Sequence, residues 1–430
     1  MKILICNGSV IPVNTVEPFC SNMDIAIDGK KIVHIGDIPE TFIPDRVINA
    51  ADKIILPGFV NAHTHLSMGL FRNYANDMDL FSWLTEKIWP IEAKLTEEDV
   101  YSGSLLGTVE MIRSGTTAFA DMYFFQGATC EAVKQAGIRA NIGATFFGSI
   151  EETEKRLPEY YTLVKNWNNS CDERIKIDTA PHAIYTCSLE TLTAAREFSL
   201  EMDNRVHVHL SETEKENVDT AALHNMTPTA YLESIGMLDR PVYAAHCVHI
   251  DQNDIDILIN NAVYPIHNPS SNLKLGSGFA PIPKFSLSGL HAAIGTDGAS
   301  SNNNLNMLEE MHLTSLIHKG ITGDPKVISA SETIRMATLY GAEALGIDDT
   351  CGSLEVGKDA DMIFINTRAA HMQPLHDPIS AVVYSAQAAD IDTVICQGRI
   401  LMENSIIIPL DEEKIIREAA KTAENLINRL

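Results

Sequence analysis

Short apolar runs alternate with helix-like segments through the middle of the chain. Eight runs have the length and apolar content of buried strands: 54–56, 116–120, 139–143, 175–180, 205–210, 241–245, 263–266 and 291–295. Apolar residues recur at helical spacing over 97–113, 129–136, 188–202, 251–261, 304–318 and 329–345. Eight strands alternating with helices predict an α/β fold, a (β/α)8 barrel of the TIM type, in which chemistry collects at the C-terminal ends of the strands.

Both ends of the chain have a different pattern, in which short β runs are joined by turn residues. Runs 25–27 and 31–35 flank Asp28 and Gly29, a dipeptide that favours a hairpin. Runs 362–365 and 393–396 are similar. Neither end holds enough strand to bury a core alone. We therefore predict that the two ends pair into one small β-sandwich domain.

The predicted domain division follows from these two patterns. Residues 1–56 form the N-terminal part of the small β domain, and residues 57–356 form the barrel. Residues 357–430 return to the small domain and end in a helix over 411–430, where apolar residues recur at helical spacing.

Composition restricts the class of partner. The chain has 430 residues, of which 45% are hydrophobic and 21% charged, as in ordinary globular proteins. Its 57 acidic and 32 basic residues give a net charge of -25, which opposes binding to nucleic acid or to an anionic membrane. We therefore expect a small-molecule substrate, uncharged or cationic.

Two further sequence features concern location. No apolar stretch is long enough for a signal peptide or a membrane span. The eight cysteines are scattered and form no Cys-x-x-Cys pair, so we interpret them as reduced residues of a cytoplasmic protein.

Two histidines follow the first apolar run at a spacing of two. The run 54–56 has the pattern of a buried strand, Pro57 and Gly58 end its pairing, and His63 and His65 come next. In an extended chain this spacing puts both imidazoles on one side. Two neutral imidazoles at a strand end can form half of a transition-metal site, although two hydrogen-bonded histidines in a turn would give the same pattern.

Polar side chains recur at three further predicted strand ends. The fifth run ends in His207, His209 and Glu212, the sixth in His246, and the eighth in Asp297. Nitrogen and oxygen ligands of this kind suit Zn²⁺ or Fe²⁺. A single histidine at a strand end is more often a hydrogen-bonded core residue, but a barrel brings its strand ends together.

These residues carry a resemblance to the metal-dependent amidohydrolase superfamily. Within it, the chain resembles the deaminases of 5'-methylthioadenosine, S-adenosylhomocysteine and 5'-deoxyadenosine. The blocks that carry this likeness are 83–84, 90–92, 180–182, 209–213, 245–249, 267–275 and 295–303. The resemblance covers essentially the whole chain, and it also implies a homo-oligomer, as is common in the superfamily.

The resemblance implies that His63, His65, His209 and Asp297 hold one divalent metal, with Zn²⁺ favoured over Fe²⁺. Such a metal lowers the pKa of its bound water from about 15.7 toward 7, which supplies hydroxide at neutral pH. By the same resemblance, the hydroxide attacks C6 of adenine and the products are the inosine analogue and ammonia.

The resemblance also assigns the proton transfers. Glu212 gives a proton to the ring nitrogen and then serves the leaving amine. Asp297 accepts a proton from the water, and His246 orients or polarises that water.

Neighbouring residues compete for two of these roles. His207 and His209 can both point inward, and we choose His209 because His-x-x-Glu begins there and because it is nearer the strand's end. The same strand-end argument prefers His246 to His249. Some superfamily members bridge two metals with a modified lysine on the fourth strand, but Lys176 is at the start of that strand, so we predict one metal per chain.

The expected substrate contacts rest mainly on the resemblance. Glu92 would accept hydrogen bonds from the ribose 2'- and 3'-hydroxyls, His182 would approach the purine or ribose, and Trp83 would form an apolar wall, although a core tryptophan is equally consistent. Arg156 matches one of the arginines near the amino-acid tail of adenosylhomocysteine. The other position falls near Ala144, which favours smaller, uncharged 5' groups.

Three other functions compete with this interpretation. The zinc nucleobase deaminases of another fold require Pro-Cys-x-x-Cys, which the chain lacks. The same metal site could instead act on guanine, cytosine or a triazine, as another amidohydrolase-superfamily deaminase or a chlorohydrolase. A non-catalytic barrel would be expected to lose ligands, and this chain keeps all of them.

Overall fold

Two β-sheets organise the chain in the computed structural model, which describes residues 1–13 and 18–430. The N-terminal strands are β1 (Lys2–Val10), β2 (Cys20–Asp28), β3 (Lys31–Ile35), β4 (Arg46–Asn49) and β5 (Lys53–Pro57). The next eight are β6 (Phe59–Thr64), β7 (Thr116–Met122), β8 (Arg139–Phe146), β9 (Ile175–Pro181), β10 (Val206–Leu210), β11 (Val242–His246), β12 (Val263–His267) and β13 (Ala293–Ile294). The last four are β14 (Met362–Asn366), β15 (Ile391–Cys396), β16 (Arg399–Glu403) and β17 (Ile406–Ile407).

Strands β6 to β13 form the barrel. All neighbouring pairs are parallel and follow the order of the chain. The last strand approaches the first, where the backbone N–H of Asp297 donates to the carbonyl of His63 at 3.0 Å. This arrangement confirms the predicted (β/α)8 fold and places the ends of its strands around one opening.

The two chain ends form a second, nine-stranded mixed sheet. Strand β5 runs antiparallel to β14, with Pro57 opposite Met362, and so joins the N-terminal strands to the C-terminal ones. The sheet branches at β1, which pairs with both β4 and β5. Its buried residues form one core that includes Ile5, Ile27 and Phe364. The predicted small β domain made from both ends is confirmed.

One predicted barrel strand was placed wrongly. Residues 54–56 belong to β5 of the mixed sheet, and the first barrel strand is β6, which itself contains His63. The chain crosses between the sheets at Pro57 and Gly58. A Cβ at Gly58 would lie 2.1 Å from the Thr117 hydroxyl, so only glycine allows β7 to approach this closely.

Helices cover the outside of the barrel. They are α1 (Leu80–Trp83), α2 (Trp89–Glu92), α3 (Glu97–Arg113), α4 (Gln126–Ala136), α5 (Ile150–Trp167), α6 (Ser170–Glu173), α7 (Leu189–Met202), α8 (Glu214–His224), α9 (Pro228–Ser234), α10 (Gln252–Asn260), α11 (Pro269–Lys274), α12 (Ile282–Leu287), α13 (Met307–Thr322), α14 (Ala330–Met336), α15 (Leu339–Leu345), α16 (Pro378–Tyr384) and α17 (Glu412–Ile427). Short 3-10 helices occupy Leu66–Phe71, Met237–Asp239, Ala370–Met372 and Ala388–Asp390, and a π turn occupies Leu84–Ile88.

The predicted helices are present, with one difference. The segment 329–345 forms two helices, α14 and α15, because Thr338 between them has φ -134° and ψ -86°, outside the helical region. Helices α5 and α8 are the longest of the helices that were not predicted. The first contains Pro158, which argues against a helix from sequence, and the second buries only Glu216 and Thr220 and so shows no apolar stripe.

The terminal helix packs on the barrel. Helix α17 lies against α3, where Glu412 pairs with Arg113 at one end and Arg429, beyond the helix, pairs with Asp99 at the other. Among the described residues, no helix is long and apolar enough to cross a membrane.

Candidate metal centre and substrate cavity

Three strand ends of the barrel bring His63, His65, His209 and Asp297 together. His63 lies in β6 and His65 directly follows it, His209 lies in β10, and Asp297 follows β13. The Nε2 atoms of His63 and His65 are each 3.3 Å from Oδ1 of Asp297. The Nε2 atom of His209 is 3.3 Å from that of His65. The four predicted ligands therefore share one small volume.

The donor chemistry of this group fits a divalent transition metal. The buried Nε2 of His63 has no hydrogen-bond partner among the described residues. Burial lowers the pKa of His63 to about 4 and that of His209 well below its usual value, so both are neutral. Burial alone would raise the pKa of Asp297, but its close contacts with His63 and His65 hold that pKa well below its usual range. Neutral imidazoles and an ionised carboxylate are the forms that bind such a metal.

Each imidazole is oriented through its other nitrogen. His65 Nδ1 is 2.5 Å from the carbonyl of Met122, and His209 Nδ1 is 2.7 Å from the carbonyl of His182. A carbonyl can only accept, so in both rings Nδ1 carries the proton and Nε2 presents its lone pair.

Asp297 is fixed by two serine hydroxyls. Ser271 and Ser301 donate to its Oδ2 atom at 2.6 and 2.9 Å. The backbone N–H of Gly298 donates to Oδ1 at 2.8 Å. Because the hydroxyls engage Oδ2, the carboxylate presents Oδ1 to the histidines.

Glu212 and His246 lie next to the predicted ligands. The Oε2 atom of Glu212 is 3.8 Å from Nε2 of His246, and its Oε1 accepts a hydrogen bond from Ser277 at 3.2 Å. His246 Nδ1 is 2.9 Å from Oδ1 of Asn272. One ring nitrogen of His246 also lies within 4.8 Å of a ring nitrogen of His63 and of His209.

The pKa of Glu212 and that of His246 are both raised, for different reasons. Burial raises the pKa of Glu212, since the charged form loses its hydration. Burial alone would lower the pKa of His246, but the negative charges of Glu212 and Asp297 outweigh it and raise that pKa. Glu212 therefore keeps its proton to a higher pH than an exposed glutamate does.

A cavity of about 630 Å³, counting its open mouth, extends outward from these residues. Trp83, Glu92, Tyr123 and His182 line it together with the residues above. The hydroxyl of Tyr123 donates to Glu92 Oε1 at 2.7 Å, and burial raises the pKa of Glu92 to about 7. Trp83 is 5% exposed, and its indole N–H has no partner among the described residues.

Arg156 lies farther out. It lines a second chamber that shares Trp89, Glu92 and Phe124 with the cavity, and its guanidinium carbon is 6.0 Å from the centre of the Phe124 ring. Ala144 is buried in β8 and lines neither chamber. Arg156 is thus the only lysine or arginine among the described lining residues of the second chamber.

The competing residues lie away from the cavity. His207 Nε2 is 2.8 Å from His63 Nδ1, beneath the ligand group, and His249 Nε2 is 2.9 Å from the carbonyl of Ser277. Lys176, near the start of β9, donates to the carbonyl of Gly346 at 3.0 Å.

Several residues of the site were missed by the sequence analysis. They are Tyr123, Ser271, Asn272, Ser277 and Ser301, which contact the predicted site residues. Tyr123 directly follows β7, so the strand-end argument would have found it had it been applied to that run. Ser271 and Asn272 lie in the short helix α11 and Ser277 and Ser301 lie in loops, where no periodicity indicates which side chain turns inward.

Known proteins resemble this chain over nearly its whole length. Residues 54–401 match the amidohydrolase family. The chain is 45% identical over 434 residues to a 5-methylthioadenosine/S-adenosylhomocysteine deaminase of Thermoanaerobacter pseudethanolicus, covering 100% of both chains. It is 46% identical to a 5'-deoxyadenosine deaminase of Methanobrevibacter smithii, covering 94% of this chain and 93% of the relative. The crystal structure of a zinc-bound adenosine deaminase from Xanthomonas campestris superposes with a TM-score of 0.93 at 33% identity, covering 99% and 98% of the chains.

Proposed function

The chain belongs to the amidohydrolase family, and from that premise we propose that it hydrolyses the 6-amino group of 5'-modified adenosines. The proposed substrates are 5'-deoxyadenosine, 5'-methylthioadenosine and S-adenosylhomocysteine, with unmodified adenosine as a further candidate. Relatives that share 43–46% of its residues are named as deaminases of such compounds. Water replaces the amino group at C6, which gives the inosine analogue and ammonia.

One observation carries this proposal beyond the family. Glu92, held by Tyr123, lines the same cavity as Glu212, His246 and Asp297. An ionised carboxylate accepts hydrogen bonds from two neighbouring hydroxyls, as the ribose 2' and 3' positions offer. The cavity thus combines a group suited to a ribose with the acid–base groups of a deaminase.

The metal residues we propose are His63, His65, His209 and Asp297, with one divalent ion per chain. Zn²⁺ is our first choice and Fe²⁺ the second, because three imidazoles and a carboxylate suit both. When bound, the ion supplies a nucleophile at neutral pH, since it lowers the pKa of a coordinated water from about 15.7 toward 7.

The chain's own residues move the protons. Glu212, whose pKa burial raises, gives its proton to the ring nitrogen beside C6. Asp297 takes a proton from the attacking water at its carboxylate. His246, fixed by Asn272, orients that water. Glu212, now a carboxylate, takes the proton of the new C6 hydroxyl and passes it to the departing amine. The proton held by Asp297 then restores Glu212 for the next cycle.

The remaining contacts bind the nucleoside. Glu92 holds the ribose hydroxyls, His182 approaches the purine or ribose, and Trp83 forms an apolar wall. Arg156 faces the 5' substituent from the second chamber. This chamber gives a 5' group room beyond the cavity itself.

A panel of substrates tests the proposal. The metal-loaded protein is incubated with 5'-deoxyadenosine, methylthioadenosine, adenosylhomocysteine, adenosine, guanine and cytosine, and the loss of adenine absorbance and the release of ammonia are followed. We expect turnover of adenine nucleosides. No turnover of any of them would refute the proposal, and turnover of guanine or cytosine alone would assign the site to another deaminase of the family.

A further inference from the structure

Glu216 is a buried carboxylate to which the proposed chemistry gives no role. It lies in the first turn of α8, where its backbone N–H donates to the hydroxyl of Thr213 at 3.2 Å. The residue is only 2% exposed. No lysine or arginine in the part of the chain that the structure describes forms an ion pair with it. A buried carboxylate needs compensating donors, so its hydrogen bonds show what it does.

Both oxygens of Glu216 accept from the turn that carries Glu212. Oε1 accepts from the backbone N–H of Ser211 at 3.0 Å, and Oε2 accepts from that of Glu212 at 2.9 Å. Ser211 has a φ of +50°, a left-handed conformation that serine rarely adopts. The left-handed conformation of Ser211 is therefore unfavourable by itself, and the hydrogen bonds to the Glu216 carboxylate stabilise it.

The other side of the same turn contacts the loop that follows β11. The carbonyl of Ser211 accepts from the backbone N–H groups of Val248 at 3.0 Å and His249 at 2.9 Å. That loop directly follows His246, the last residue of β11. The turn of Glu212 is thus tied to His246 on one side and to Glu216 on the other.

We infer that Glu216 is a positioning residue, which holds the backbone of Glu212 so that its side chain reaches the purine ring. The inference rests on the proposed function. An ionised carboxylate offers one acceptor oxygen to the backbone N–H of Ser211 and another to that of Glu212. A glutamine has one acceptor oxygen and would turn its NH₂ group toward the other N–H, so Glu216→Gln breaks one contact while keeping the size of the side chain.

The kinetics of Glu216→Gln test the inference. We expect kcat to fall roughly 10- to 100-fold, since a small misplacement of a reacting group has effects of that order. KM and the metal content should stay within about threefold and at one ion per chain, because Glu216 does not line the cavity. Glu214→Gln, at an exposed position of the same helix turn, is the matched control and should match the parent. A kcat for Glu216→Gln within threefold of the parent overturns the inference.

A double variant shows whether Glu216 positions Glu212 or stabilises the fold in general. In a Glu212→Gln protein the proton donor is already absent, so adding Glu216→Gln should lower the residual rate by less than about twofold. An equal proportional loss in both backgrounds would mean that Glu216 acts on the fold as a whole, and would also overturn the inference.

Hydrogen exchange gives a result that does not depend on turnover. In Glu216→Gln, peptides covering 211–213 should exchange faster, while β10 keeps its protection. Unchanged exchange at 211–213 in Glu216→Gln would refute the inference, whether or not the parent deaminates a nucleoside. If the parent had no activity but Glu216→Gln still exchanged faster there, only the proposed function would be refuted.

Discussion

The Nδ1 atom of His63 lies 2.8 Å from the Nε2 atom of His207. For His63 to offer the lone pair of Nε2 to a metal, Nδ1 must carry the proton and donate it to His207. The proton of His207 then sits on its own Nδ1, which has no partner among the described residues. His207 therefore accepts from His63 and fixes its tautomer.

Replacing His207 should weaken metal binding. In His207→Phe the ring still packs on Tyr243, whose centre lies 4.3 Å away, but His63 loses its acceptor. We expect the affinity for Zn²⁺ to fall about 10- to 100-fold, as for other partners of metal-bound histidines. Competition with a chromophoric chelator measures this. His224→Phe on the exposed side of α8 is the control, and equal affinity in both variants would contradict the assignment.

Glu212→Gln should keep the metal and lose turnover. Glutamine cannot give a proton to the ring, and a general acid contributes about 10²- to 10⁴-fold to the rate. We expect kcat for methylthioadenosine to fall within that range, with one metal ion per chain by elemental analysis. If the variant stayed within a few-fold of the parent, Glu212 would not be the proton donor.

Removal of the metal should abolish activity and lower stability together. Chelation leaves the buried Nε2 of His63 without a partner, and binding of an ion at 1,000 times its dissociation constant stabilises a protein by about 4 kcal/mol. We expect a lower melting temperature without metal, and recovery of both properties at one equivalent of Zn²⁺ or Fe²⁺. Recovery that required two equivalents would contradict the single-metal proposal.

The binding of ribose should depend on pH through Glu92. Its pKa is raised to about 7 by burial, so the carboxylate is charged above that pH and neutral below it. The neutral form accepts hydrogen bonds more weakly, and KM for methylthioadenosine should therefore rise as the pH falls from 8 to 6. Glu92→Gln should show a high KM with little pH dependence over this range. The same pH profile in parent and variant would assign the titration to another group.

The fold should be sensitive to Arg139, which joins the barrel to the small domain. This buried residue of β8 donates to Asp361 at 2.9 Å and to Asp359 at 2.6 Å. Arg139→Met leaves both buried carboxylates without that partner, and we expect the free energy of unfolding to fall by about 3–5 kcal/mol. Denaturant unfolding measures the loss. Adding Asp361→Asn should recover part of it, and a purely additive double variant would contradict the pairing.

The four proposed metal residues were predicted from polar strand ends together with the family resemblance, whereas the regular spacing of apolar runs predicted the barrel. Helix α3 shows this, since its predicted and observed bounds are both 97–113. The first barrel strand was misplaced because apolar residues run almost without a break from Ile54 to Val60. Nothing in the periodicity shows that Pro57 and Gly58 separate two sheets rather than end one strand.

The residues that orient the site could not be predicted in the same way. Ser271, Ser277 and Glu216 act from loops or a short helical turn, and their direction depends on backbone conformations such as the positive φ of Ser211. The ends of the strands indicate which residues can form the site, but only the three-dimensional structure shows which neighbouring residues orient them.

The pairing of β5 with β14 sets an order for synthesis. Strand β5 ends at Pro57 and its partner begins at Met362, so the ribosome must add the whole barrel before the two can meet. At usual translation rates this interval lasts roughly 15–60 s. Throughout it, the nascent N-terminal strands present an open edge that a chaperone or a neighbouring nascent chain could occupy, and the barrel has time to fold first.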